Sequence, residues 1–113
     1  MKRRIKKYLF DINVAIDSIN EYLGDSARLE HYLGNKLLRR AVEREIEIIG
    51  EATNKILSLD STIQIQNARQ IVATRNFIIH GYDKVDDTLI WGIVSNYLPE
   101  LKKDIERLLN EKD

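Results

Sequence analysis

The sequence predicts an all-α domain, a four- to five-helix up-and-down bundle, on three observations. Only one proline and five glycines interrupt the 113 residues, and Leu, Ile, Glu, Lys and Arg are abundant, which favours helix. Apolar residues recur every three or four positions along four segments. The stretches between them are short, which suits antiparallel neighbours in a bundle. A chain of this length is one domain, residues 1–113, with a single core.

The first helix is expected from about Ile5 to Leu23. Ile5, Leu9, Ile12, Ile16, Ile19 and Leu23 form one stripe, and Gly24 is the stop signal. Asp25 to Gly34 is less regular, with Asp25 or Ser26 placed to cap a short helical turn. The second long helix runs from about Asn35 to Leu59. Leu38, Ala41, Val42, Ile46, Ile49, Ala52 and Ile56 give its apolar face. Its other face carries Arg39, Arg40, Glu43, Arg44, Glu47 and Glu51, with opposite charges three or four residues apart. Gly50, inside this helix, costs about 1 kcal/mol against alanine. Such a glycine marks a point where another backbone comes close.

Asp60 or Ser61 is expected to cap a third helix from about Thr62 to Ile78. Its packed positions are Ile65, Ala68, Val72 and Ile79, with Ile71 and Ile78 on the flank. Arg75 falls in the same phase, where a charge is costly unless it is paired or faces a cleft. Gly81 to Asp86 reads as a loop. The fourth helix, about Asp87 to Asn110, carries the stripe Ile90, Val94, Tyr97, Leu101, Ile105 and Leu108, with Asp86 or Asp87 as cap. Pro99 lies inside it and should kink it, because proline has no amide hydrogen and its ring clashes with the preceding turn. Several helices are apolar on more than one side, and this surplus suggests a homodimer.

The 18 basic and 18 acidic residues balance, so any contact with nucleic acid rests on local patches and not on bulk charge. Lys2, Arg3, Arg4, Lys6 and Lys7 form one basic cluster, which as a helix start is equally a solvated tail. No cysteine is present, so disulfides and thiolate zinc sites are excluded. Asp11, Asn13 and Asp17 break the apolar run that a signal peptide needs. No stretch approaches the roughly 20 apolar residues of a membrane span, and a cytoplasmic protein is expected.

The chain has two histidines, His31 and His80. It lacks an HExxH pair, a glycine-rich phosphate loop and a GxSxG elbow. His31 reads as a surface or dimer-edge residue. His80 follows Arg75-Asn76 after a short apolar spacer and precedes Gly81-Tyr82. Histidine moves protons near neutral pH, and arginine offers a planar fork of donors to phosphate oxygens. Together they suit phosphodiester cleavage without a metal. The same residues admit a structural role: Arg75 paired with Glu43, Glu47 or Glu51, His80 serving the helix dipole, and Tyr82 packing. On an unbroken helix, positions 75 and 80 lie about 140° apart. A shared site therefore needs the helix to end or loosen between Ile78 and Gly81, or a second chain.

Arg75-Asn76-x3-His80-Gly81-Tyr82 resembles the Arg-x4–6-His motif of the HEPN superfamily, in the Arg-x4-His-x-Tyr form of HepT-type toxins. Arg40-Ala41-Val42-Glu43-Arg44 with Glu47 to Ala52 resembles the family's second-helix signature. Asp83 to Trp91 and Leu98-Pro99-Glu100-Leu101 resemble its C-terminal helix. Ile63 to Asn67 departs from the Pro-Trp-like stretch common before the motif. The resemblance implies a homodimer whose two motifs line one cleft, and metal-independent RNA cleavage with no cofactor, leaving a cyclic phosphate. It implies that Arg75 positions and stabilises the scissile phosphate, that His80 transfers the proton, and that Asn76 orients either. It further implies a toxin–antitoxin pair with a minimal nucleotidyltransferase as antitoxin, and AMP transfer to Tyr82. The alternative it leaves is a catalytically silent HEPN module that binds a nucleotide or that partner.

Overall fold

The computed structural model describes residues 2–25, 28–81 and 86–111. Helix α1 spans Arg3–Leu23, α2 Leu29–Leu33, α3 Lys36–Leu59 and α4 Ala68–Gly81. A short α5, Asp87–Gly92, passes through a π-helical turn at Ile93–Tyr97 into α6, Leu98–Leu109. No strand occurs among the described residues. The all-α bundle read from the sequence is the fold observed.

The two long helices form as their stripes require. Helix α1 buries Ile5, Leu9, Ile12, Ile16 and Ile19, and α3 buries Val42, Ile46, Ile49 and Ile56 against them. Each such side chain contributes about 1.5–3 kcal/mol. Helix α6 closes the other side of α1 with Leu101 and Ile105. Lys102 ties the two helices at the surface, reaching Asn13 Oδ1 at 2.9 Å and Asp17 Oδ1 at 2.7 Å. Gly24 ends α1 at φ 72°, a left-handed angle open to glycine. The Asn35 side chain caps α3 by accepting from the Leu38 amide at 3.0 Å, and Asp86 caps α5 through the Leu89 amide at 3.1 Å.

Four expectations need correction. Asp25 does not cap α2: the cap position is Arg28, without a side-chain bond, and Ser26 lies outside the described residues. Residues 62–67 are not helical, because their polar groups have better partners. Asp60 Oδ1 accepts from the Thr62 amide and hydroxyl, and buried Asp104 accepts from the Gln66 amide at 2.7 Å. These bonds hold a non-helical connection with a turn at each end, so α4 starts at Ala68. Helix α4 buries Ile71, Thr74 and Ile78, whereas Val72 is half-buried and Ile79 is 39% exposed. Arg75 therefore flanks the packed face instead of centring on it.

The fourth correction concerns the last helix. Pro99 sits in the first turn of α6, just after the π turn. Proline has no amide to bond the preceding turn, and the π turn takes up the mismatch with i→i+5 spacing. Each residue there advances by less than 100°, so the core position arrives one residue late. Leu98 is buried in place of Tyr97. No described helix is long and apolar enough to cross a membrane.

Candidate active site

Helix α4 lies on the outer side of α3, its one extensive helix contact among the described residues. Gly50 sets how close the two come. A Cβ built on Gly50 would stand 2.4 Å from Arg75 Cβ, 3.0 Å from Arg75 Cγ and 3.2 Å from the Ile71 carbonyl oxygen. The glycine is thus the seat on which the Arg75 stem rests.

Seated there, Arg75 is half-buried. Its Nε is buried and has no hydrogen-bond partner among the described residues. One terminal nitrogen donates to Asn76 Oδ1 at 3.2 Å. None of the acids that the sequence offered it is an ion-pair partner. Arg40 donates twice to Glu43, at 3.1 and 3.0 Å, and Arg44 pairs with Glu47 at 3.3 Å. Glu43 and Glu47 are held by arginines of α3, and Arg75 has no ion-pair partner among the described residues.

His80 is exposed in the last turn of α4. The helix runs unbroken through Gly81, so loosening before Gly81 does not bring Arg75 and His80 together. Their backbones stay about 140° apart around the axis. Asn76 bridges part of that gap, because it shares the exposed face with His80 and holds the Arg75 guanidinium. Tyr82 lies outside the described residues. His31 is exposed beside Arg28 and Leu23, away from this site.

One polar cluster was not anticipated from the sequence. Tyr32 and Glu43 are buried where α2, α3 and α5 meet. The Tyr32 ring packs on Trp91 at 5.4 Å between centroids. Its hydroxyl has no partner among the described residues, and burial pushes its pKa up, aided by the Glu43 and Asp87 charges. Arg39 pairs with Asp87 at 3.3 Å. Burial also raises the Glu43 pKa, outweighing the pull of Arg40. The signal in the sequence was faint: Glu43 reads like any member of a charged face.

A raised carboxyl pKa in the fold means that the unfolded chain loses this proton first as pH rises. Wild-type stability therefore falls through that window relative to a variant that cannot ionise there. Glu43→Gln is expected to gain in Tm over wild type as pH rises above the ordinary glutamate value of about 4.3. Parallel Tm curves for the two proteins would contradict it.

The family model described as "Ribonuclease HepT-like" matches residues 12–108, a span that includes Arg75, Asn76, His80 and Tyr82. A Methanocaldococcus jannaschii protein named "Putative RNase MJ1380" is 36% identical over 107 residues, 93% of this chain and 96% of that one. "Probable ribonuclease HepT" of Thermococcus cleftensis is 36% identical over 109 residues, 96% of this chain and 98% of that one. No solved structure matches. With nearly its whole length aligned and the Arg-x4-His-x-Tyr residues inside the match, the chain belongs to the HepT-like ribonuclease family.

Proposed function

We propose that this chain is a metal-independent endoribonuclease, the toxin of a toxin–antitoxin pair, acting as a homodimer with both motifs in one cleft. The observation that carries the reading is Arg75: half-buried, with no ion-pair partner among the described residues, and held toward Asn76 on the face that presents His80. A cation left unpaired at a partly buried site is poised for an anion. Here that anion is the scissile phosphate. The 2′-oxygen bonds to phosphorus as the bond to the 5′-oxygen breaks. The 2′-proton departs to a base and the 5′-oxygen takes up a proton, with His80 moving one of these protons. Arg75 stabilises the charge on the phosphate oxygens, and Asn76 fixes its direction. The products are a 2′,3′-cyclic phosphate and a 5′-hydroxyl.

Two features support the dimer. Ile79 is 39% exposed on α4, apolar surface on a helix packed mainly on one neighbour. The unbroken helix also keeps Arg75 and His80 of one copy on different sides, and a second copy supplies the missing half. Family resemblance supports neutralisation by a nucleotidyltransferase: the Tyr82 hydroxyl would attack the α-phosphorus of ATP, pyrophosphate would leave, and AMP would remain. That anionic bulk, two residues from His80 in the chain, would repel RNA.

The purified chain is expected to cut an RNA pool in EDTA and to leave cyclic-phosphate ends. After co-expression with a minimal nucleotidyltransferase of the kind the resemblance implies, the Tyr82 peptide is expected to gain the mass of AMP. An intact RNA pool would favour a silent binding module, and unmodified Tyr82 in a neutralised complex would favour occlusion.

A further inference from the structure

No Asp or Glu occurs between Asp60 and Asp83, although acids equal bases over the whole chain. Helix α4 lies wholly inside this stretch, so its exposed side is locally basic in a neutral protein. Arg69 stands in its first turn, exposed, with no ion pair or side-chain hydrogen bond among the described residues. That turn holds no acid, and a cation there opposes the helix dipole. Neither local pairing nor helix electrostatics accounts for an arginine at this point.

Its phase does. At 100° per residue, Arg69, Ala73, Asn76 and His80 fall within about 60° of one another, and all four are exposed. They form a straight line along α4, with Phe77 at its edge, 38% exposed. Ala73 keeps the middle of the line shallow. Arg69 lies about 16 Å from His80 along the axis. A strand of about three to five nucleotides spans that distance, at 3.4 Å per nucleotide when stacked and more when extended.

We propose that this line is the bed of a single RNA strand, in which Arg69 binds a backbone phosphate a few nucleotides from the scissile one. The proposal rests on the ribonuclease reading of Arg75 and His80 and adds a remote phosphate subsite to it. The occupant is a single strand because the line is one helix face wide and bordered by an aromatic ring on which a base can stack. Arg69 contributes binding only; at this distance it does not touch the reacting atoms.

The test compares Arg69→Ala, Arg69→Lys and wild-type full-length chains on a fluorescent 15-nucleotide RNA and on a dinucleotide. Arg69→Ala is expected to raise KM for the 15-mer about five- to tenfold more than for the dinucleotide, and Arg69→Lys to recover most of that. The salt slope of log affinity should become shallower by about 0.7, one phosphate contact on a single strand. Equal KM changes on both substrates, or an unchanged salt slope, would overturn the subsite. So would a lower dimer fraction for Arg69→Ala by sedimentation, which would place Arg69 at a protein contact. If wild type cuts neither substrate, the ribonuclease reading fails by itself. Anisotropy with the same 15-mer then decides the subsite: weaker binding by Arg69→Ala supports it, and equal binding refutes it.

Discussion

Alanine at His80 is expected to lower the rate of RNA cleavage about 10²–10⁴-fold, the span that a positioned proton-transfer group provides. Loss of Arg75 should cost about 10²–10³-fold, as for other donors that stabilise developing charge. The two act on one step, so the double variant should be little worse than the poorer single one. Because α4 is continuous through Gly81, mixing the two inactive chains is more informative than either alone. If one copy's Arg75 serves the other's His80, a mixed dimer regains one intact pair, and activity returns on mixing Arg75→Ala with His80→Ala. If each copy uses its own pair, every site in the mixed dimer is broken and activity stays lost. Single-turnover cleavage with circular dichroism as a folding control measures all of this. Wild-type rates in either single variant would remove the residue from the mechanism.

Gly50→Ala should damage both stability and cleavage. Alanine would add up to about 1 kcal/mol of helix propensity to α3. Against that gain, its Cβ would stand 2.4 Å from Arg75 Cβ and 3.2 Å from a backbone oxygen. Neither is the loose end of a side chain that can swing away, so α4 must move. Overpacking of this kind costs about 1–3 kcal/mol, and the loss wins. Tm should fall by about 4–8 °C for each net kcal/mol lost. Moving α4 also displaces the guanidinium, and a shift near 1 Å costs about 10²-fold in rate. Gly92→Ala is the control: a Cβ there meets nothing within 4 Å and the residue is already α-helical at φ −60°. It should gain about 0.4–1 kcal/mol. A Gly50→Ala variant as stable and active as wild type would show that α4 is not seated on that glycine.

The elements most legible in the sequence were those set by local chemistry. The α1 stripe with its Gly24 stop and the Asn35 and Asp86 caps each depend on residues close in the chain. The start of α4 was hidden because its rival is remote: Gln66 is drawn out of helix by Asp104, 38 positions away. Leu98 displaced Tyr97 from the core because a π turn has no periodic signature of its own. For the site, Arg75 and His80 stood out by residue type, and Gly50 as a break in propensity. The spacing offered the pairs Arg40–Glu43 and Arg44–Glu47, which form, but the sequence equally offered Glu43 and Glu47 to Arg75. Several pairings satisfy the same spacing, and packing alone chooses among them.

The tilted packing of Tyr32 against Trp91 has a practical consequence. Trp91 is the only tryptophan in the chain, half-buried on α5 against a ring carried by α2. Its fluorescence is an intrinsic reporter of how α5 docks, from the helix that follows Tyr82 by a few residues. The proposed RNA binding, dimerisation and nucleotide attachment can each be tested for a change in that one emission, in the native protein and without a label.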